Sequence, residues 1–318
     1  MLRPLLSLVI APMALASMLA GCGGSGSKPV VVDGSSTVFP ISIAAQTAYT
    51  SSVEGTPRIL VDNHGTGGGF GRYIEGEVDI VDASRPAKPE EEEKARAAGF
   101  DWTRYLVGHD GITVAVNPAN TFVDVLTVDQ LRALFEPGSA VESWKDLNPE
   151  WPDQPISFYT PDDDSGTYEF FVKDALKMDA QREDVQPSAD DNVLVSGIAG
   201  DAGAIGYFGF AYYIANQDKL RAVPIRDGDE AEPVSPSVET IYDGSYEPLS
   251  RPLFIYVKDS AMRRPEVADF VTYYLEHVGE LAEEAGYVAP TDEEQAENLA
   301  SLGRVKGGGA APASAAAE

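Results

Sequence analysis

Three short clusters of glycine, serine and threonine constrain this chain more than any other feature. They are Gly34-Ser35-Ser36-Thr37, Gly65-Thr66-Gly67-Gly68-Gly69 and Asp164-Ser165-Gly166-Thr167. Each follows a strand-like run and precedes a helix-like pattern. A helix that starts this way leaves its first backbone N–H groups unpaired and carries a partial positive charge at that end. Glycine lets the backbone approach a ligand, and serine or threonine adds a hydroxyl donor. Repeated strand, turn and helix predict an α/β fold with helices on both faces of mostly parallel sheets. Ligands of such sheets bind beyond the carboxyl ends of the strands, where all three clusters fall. Three such turns converging on one point would hold a small oxyanion.

That site has to work by local dipoles, because the chain as a whole repels anions. It carries 51 Asp and Glu against 23 Lys and Arg, a net charge of −28 over 318 residues. Such a surface keeps a protein soluble. It excludes nucleic acid as a partner, which needs a basic face. The repelling field is screened beyond about 8 Å at physiological salt, so donors at contact range decide binding. With 43% hydrophobic residues the chain is long enough for two lobes with separate cores.

The N-terminus reads as an address. Arg3 precedes an apolar stretch from Leu5 to Leu19, too short to span a membrane comfortably, and then Leu19-Ala20-Gly21-Cys22. This resembles the lipobox of a bacterial lipoprotein signal, which implies a signal peptide over 1–21 and a lipidated Cys22. Two or more acyl chains are enough for stable anchoring. Cys22 is the single cysteine, so a disulfide within the chain and a Cys-rich metal site are both excluded. Residues 22–28 read as a tether. The expected location is outside the cytoplasm, tied by lipid to a bacterial membrane.

Along the rest of the chain, Pro29–Asp33, Arg58–Asp62, Val78–Val81, Ile156–Tyr159 and Ala204–Phe210 read as strands. Val38, Ile41, Ala45 and Ala48 recur at helical spacing, and Thr127-Val128-Asp129-Gln130 fits a capping box. Thr167, Phe170, Phe171, Ala175 and Leu176 form one helical face, and Pro265–Ala285 is the longest helical pattern. Leu106–Asn117 is long for one strand, and Leu253–Val257 is placed to cross back. Two crossovers predict two lobes, the first built from both ends of the chain: 29–112 plus 254–306, with 113–253 as the second lobe. Residues 307–318 are Gly/Ala/Ser-rich and expected to be disordered.

In this order and spacing the motifs acquire a resemblance. Asp33-Gly34-Ser35-Ser36-Thr37-Val38-Phe39-Pro40-Ile41, Gly65-Thr66-Gly67-Gly68-Gly69-Phe70, Asp79-Ile80-Val81-Asp82-Ala83-Ser84-Arg85-Pro86, Asp164-Ser165-Gly166-Thr167 and Gly206-Tyr207-Phe208-Gly209 resemble segments of the PstS-like phosphate-binding lipoproteins of ABC transporters. Leu249-Ser250-Arg251-Pro252-Leu253 also resembles that family. The resemblance spans about Val31 to Val257. It implies a two-lobed periplasmic-binding-protein fold of type II, joined by two crossover strands. It implies a monomer without cofactor or metal that binds inorganic phosphate, with arsenate as a second candidate anion, and delivers it to ABC permease subunits. Position by position it implies donors from Ser36 and Thr37, from Thr66 and Gly67, and from Ser165, Gly166 and Thr167.

One departure changes the chemistry. Arg85 stands where well-known members carry an Asp, and Pro161 stands where they carry an Arg. The charges have traded places in this reading. Arg85 supplies a bidentate fork. One of Asp162, Asp163 or Asp164 orients it or accepts the proton of monohydrogen phosphate, with Asp164 the preferred choice. A carboxylate facing aprotic sulfate sets acceptor against acceptor, a cost of several kcal/mol.

Rival classes fit less well. The Gly65–Gly71 turn lacks the Lys-Ser/Thr ending of a nucleotide-binding loop. A serine hydrolase built on Ser165 would lack the Gly-x-Ser-x-Gly elbow, and His64, His109 and His277 are the only histidines. His64 reads as a loop residue beside the second cluster. A phosphate sensor or scavenger without a transporter would share the same site. The expectation is a binding protein, not an enzyme.

Overall fold

The computed structural model describes residues 28–163, 165–228 and 230–307. The expected signal peptide over 1–21, Cys22, the tether to Ser27, Asp164 and the tail beyond Gly307 lie outside the described residues.

Eleven strands are present among the described residues: β1 Val30–Gly34, β2 Ile59–Asp62, β3 Ile80–Ala83, β4 Trp102–Val116, β5 Leu126–Thr127, β6 Ser157–Pro161, β7 Gln186–Ser188, β8 Ala204–Gly209, β9 Arg221–Ala222, β10 Ile225–Arg226 and β11 Ser250–Lys258. They form one sheet in the order β2-β1-β3-β11-β4-β8-β6-β7, with β9 also on β4, and β10 paired separately with β5. β1 runs parallel to β2 and β3, and β6 runs parallel to β7 and β8. The two halves meet at the long strands. β4 pairs with β11 up to Gly111 and with β8 from Ile112. The expected crossovers are therefore β4 and β11, lying antiparallel side by side.

Period-two alternation places a core on each face of each half. Leu253, Ile255 and Val257 of β11 join Val30, Val32 and Ile80 against the helices Phe39–Ser52 and Pro265–Glu276. Phe254 and Tyr256, between them in sequence, pack instead with Val81, Phe70 and Tyr73. In the second half Ile112, Val114, Ile205 and Tyr207 face the larger cluster, while Ala115, Ala204 and Phe208 face Leu194 and Ile198. Each fully buried large aliphatic or aromatic side chain stabilises the fold by about 1.5–3 kcal/mol.

Three helical segments differ from their sequence pattern. The run expected as one helix over Pro265–Ala285 is broken at His277, between Pro265–Glu276 and Val278–Glu284. His277 leaves helical geometry, with φ −115° and ψ 9°, and its Nδ1 lies 2.9 Å from the Tyr273 carbonyl that the backbone would otherwise use alone. The helix after the third cluster starts as Gly166–Glu169 and widens into a π-helical turn over Phe170–Ala175. The longest helix among the described residues is Asp292–Lys306, which buries only Asn298 and Leu302 and starts at a capping box of Thr291 and Glu294. Its apolar periodicity is too weak to mark it.

Candidate functional site

All three clusters sit where strands hand over to helices. Gly34 ends β1 at φ 146°, and a Cβ there would strike the Asp82 carbonyl. Glycine is required for this turn to lie against β3. The Ser35 N–H donates to that Asp82 carbonyl at 2.9 Å, and the Thr37 N–H donates to Ser35 Oγ at 3.2 Å. The second cluster opens the helix Gly65–Ile74. In the third, Ser165 Oγ accepts from the Thr167 N–H at 3.2 Å, an N-cap on the helix that Gly166 begins.

A cleft of about 430 Å³ is lined by Ser35 of the first cluster and Gly65, Thr66, Gly67 and Gly68 of the second, whereas Ser36, Thr37, Ser165, Gly166 and Thr167 do not line it. Of the sequence-predicted residues, Thr66, Gly67 and Arg85 line it. Thr66 Oγ1 and Ser84 Oγ are 3.2 Å apart, and the Ser84 N–H donates to Thr66 Oγ1 at 3.2 Å. Beside the cleft the halves touch. A Cβ on Gly166 would come within 2.9 Å of Thr37 Cα and 3.0 Å of Thr37 N. Thr37 Oγ1 donates to the Gly166 carbonyl at 3.4 Å, and Ser36 Oγ donates to the Glu169 carboxylate. Ser165 and Thr167 flank this contact.

Arg85 is engaged differently from its expected role. Its Nη1 and Nη2 donate to the two oxygens of Glu91 at 2.8 Å each, and Nη1 also donates to the Pro86 carbonyl. The hydrogen bond to Glu91 raises the Arg85 pKa. Burial works against the charged form of Glu91, but Arg85 outweighs it and holds that carboxyl below its ordinary value.

A second guanidinium, Arg251 on β11, lines the same cleft and was given no role on sequence grounds. Its Nη2 donates to Thr37 Oγ1 at 2.6 Å, its Nη1 to Asp174 at 2.6 Å and its Nε to the buried Asp110 at 3.4 Å. The guanidinium lies 3.7 Å from the Phe170 ring centroid. Thus one side chain ties the first cluster, the π-helical turn and β4 together. Burial pushes the Asp110 carboxyl up, with Arg251 opposing. The sequence signal was its place in Leu249-Ser250-Arg251-Pro252-Leu253, a segment that resembled the family without assigning the Arg a role. Glu169 and Asp174, also on the cleft wall, had no such signal.

Beneath the site, Asp33 accepts from the His64 N–H at 3.0 Å and from Arg72, with His64 Nδ1 3.0 Å from its Oδ2. Burial disfavours its charge, but the His64 hydrogen bonds and Arg72 prevail and keep the carboxyl below its ordinary value. His109 faces Glu294 and His277 faces the Tyr273 carbonyl, so each histidine has a partner other than Ser165. No group of three His, Cys, Asp or Glu that could hold a metal ion occurs among the described residues.

Two half-sheets joined by paired crossing strands, with the second helix-starting turn lining the cleft and the first and third in contact beside it, define a type II solute-binding architecture. A PBP superfamily domain matches residues 23–277. Over 299 residues the chain is 38% identical to the phosphate-binding protein PstS of Staphylococcus aureus, covering 92% of this chain and 89% of that one. It is 40% identical over 261 residues to the protein SphX of Synechococcus elongatus, 81% of this chain and 77% of that one. A crystal structure described as a possible phosphate binding protein from Planctomyces limnophilus superposes with a TM-score of 0.84 at 39% identity, covering 88% of this chain and 99% of that one. The chain belongs to the PBP superfamily, in the PstS-like branch that its motifs indicate.

Proposed function

We propose that the protein binds inorganic phosphate in this cleft, outside the cytoplasm, and delivers it to an ABC permease. The observation that carries the reading is the contact of Thr37 with Gly166, where Thr37 Oγ1 also accepts from Arg251. It joins amide- and hydroxyl-bearing turns from the two halves at one point beside a cation. A tetrahedral oxyanion needs several converging donors, and helix-starting turns supply them at contact range despite the negative surface. Relatives named as phosphate-binding proteins support the same ligand. The proposed lobes are 29–112 plus 254–306, and 113–253. The proposed role is binding, with no chemical step.

The proposed contacts come from Ser36, Thr37, Thr66, Gly67, Arg85, Ser165, Gly166 and Thr167, with Arg251 added on its geometry. Arg85 acts from the cleft wall while Glu91 fixes its fork. Asp164 is the proposed acceptor of the phosphate proton. Calorimetric titration tests the function: phosphate and arsenate should bind at one site each, and sulfate should not compete. Equal affinity for sulfate, or no heat with phosphate, sinks the reading.

Replacing Arg251 by Gln separates cation from scaffold. Phosphate affinity should fall at least about tenfold, roughly 1.4 kcal/mol. The melting temperature should fall too, because Asp110 loses its buried partner, a loss worth up to about 3 kcal/mol. Affinity equal to that of the parent protein would remove Arg251 from the site.

Membrane attachment through Cys22 is part of the proposal. No helix among the described residues is long and apolar enough to cross a membrane. Cys22→Ser should shift the protein from the membrane pellet to the soluble fraction. Retention in the pellet would exclude lipid as the anchor.

A further inference from the structure

Two cations of the cleft wall are already committed, Arg85 to Glu91 and Arg251 to Asp174 and Asp110. Lys177 lines the same cleft and is exposed, and among the described residues it forms no ion pair and no side-chain hydrogen bond. Its backbone is held at φ 55°, and among the described residues it is the sole non-glycine with a positive φ. The position is fixed from both sides. The Leu176 N–H donates to the Phe171 carbonyl at 2.9 Å, and the Met178 N–H donates to the Val172 carbonyl at 2.8 Å, closing the π-helical turn. A left-handed residue at a helix end is ordinarily Gly or Asn, because a Cβ crowds the backbone there. A long cationic side chain at a strained position, lining the cleft and without an ion pair among the described residues, has a use that its local structure does not supply.

The surrounding field says what that use is. Glu169 and Asp174 share the wall, and the whole chain carries −28. An approaching dianion meets repulsion until it is within a few ångströms of the donors. We propose that Lys177 is the capture cation of the cleft. It draws the incoming tetrahedral dianion past the acidic wall and hands it to the donors of the three turns. It thereby sets the association rate and leaves the release rate unchanged. This inference rests on the phosphate reading given above. The competing role is local: a lysine near a helix C-terminus complements the dipole of that end.

Association and release of radiolabelled phosphate by the full-length protein, followed by rapid-mixing filtration, separate the two. Lys177→Gln and Lys177→Gly should both lower the association rate about fivefold at low salt. The difference should fade in about 1 M salt, where the screening length is about 3 Å. Release rates should stay at the parent value, and Lys177→Arg should retain fast capture. Lys177→Gly also relieves the left-handed strain, so its melting temperature should not drop. Unchanged association rates in the Gln and Gly variants overturn the inference, as does a release rate that rises in proportion to the lost affinity. If the parent protein takes up no phosphate, the functional reading fails and this inference fails with it. If the parent binds and the variants match it, only the inference fails.

Discussion

Gly166→Ala should weaken phosphate binding by about a hundredfold or more, close to 3 kcal/mol, while leaving the melting temperature almost unchanged. The added Cβ would sit 2.9 Å from Thr37 Cα and 3.0 Å from Thr37 N. Both are backbone atoms, so no side chain can swing aside. The two turns must separate by several tenths of an ångström, and donors on opposite walls then cannot reach one small ion together. Stability should not suffer in parallel. Gly166 opens its helix at an ordinary φ, where alanine is a better helix former than glycine. The contact also lies between the halves and not within either core. Small-angle scattering supplies the second readout: the parent should contract on adding phosphate, and the variant should not. Parent-like affinity in the alanine variant would show that Thr37 and Gly166 are apart when the ligand is bound.

The same contact marks how far the sequence could be read. Each half of it was legible, because a Gly-Ser-Ser-Thr turn after a valine run and a Ser-Gly-Thr turn before a helix are local signals. The crossovers were legible too, since Leu106–Asn117 was too long for an ordinary strand and became part of β4. What escaped is set by distance along the chain. Arg251 acquires its role from partners 77, 141 and 214 residues away, and nothing in the local pattern of β11 announces them. On sequence grounds Arg85 was set against the Asp162–Asp164 run, and Glu91, six residues along the chain, was given no role. In three dimensions Glu91 also accepts from the Lys88 N–H, which orients it toward Arg85. The helix Asp292–Lys306 escaped for the opposite reason. Its capping signal is local and readable, but its polar surface offers little periodicity.

Asp82 is the clearest case of a residue whose character comes chiefly from burial. In sequence it is one acid in Asp79-Ile80-Val81-Asp82-Ala83. In the fold it is fully buried under the first cluster, with Oδ1 accepting from Ser42 Oγ at 2.9 Å. Ser42 Oγ also lies 3.1 Å from the Tyr274 hydroxyl. Oδ2 has no partner among the described residues. Burial pushes this carboxyl up to about 8, the charge of Asp33 adds to the rise, and the Ser42 hydrogen bond opposes it.

A folded-state pKa raised above the ordinary value of 3.8 has a definite consequence for stability. Between the two values the folded protein holds a proton that the unfolded chain has lost. Stability from this group is fully present below the unfolded value, falls as pH rises, and is lost once the folded carboxyl ionises near about 8. Asp82→Asn is neutral at every pH and so lacks this slope. Denaturant melts from about pH 5 to about pH 7 should therefore show the parent losing about 1.4 kcal/mol per pH unit relative to the variant. At the acid end the parent should be the more stable of the two, because its protonated carboxyl fits the Ser42 site without an extra N–H to satisfy. Toward pH 8 the order should reverse. Stability curves that run parallel across this range would mean that Asp82 is ionised in the folded protein and that its Oδ2 has found a donor.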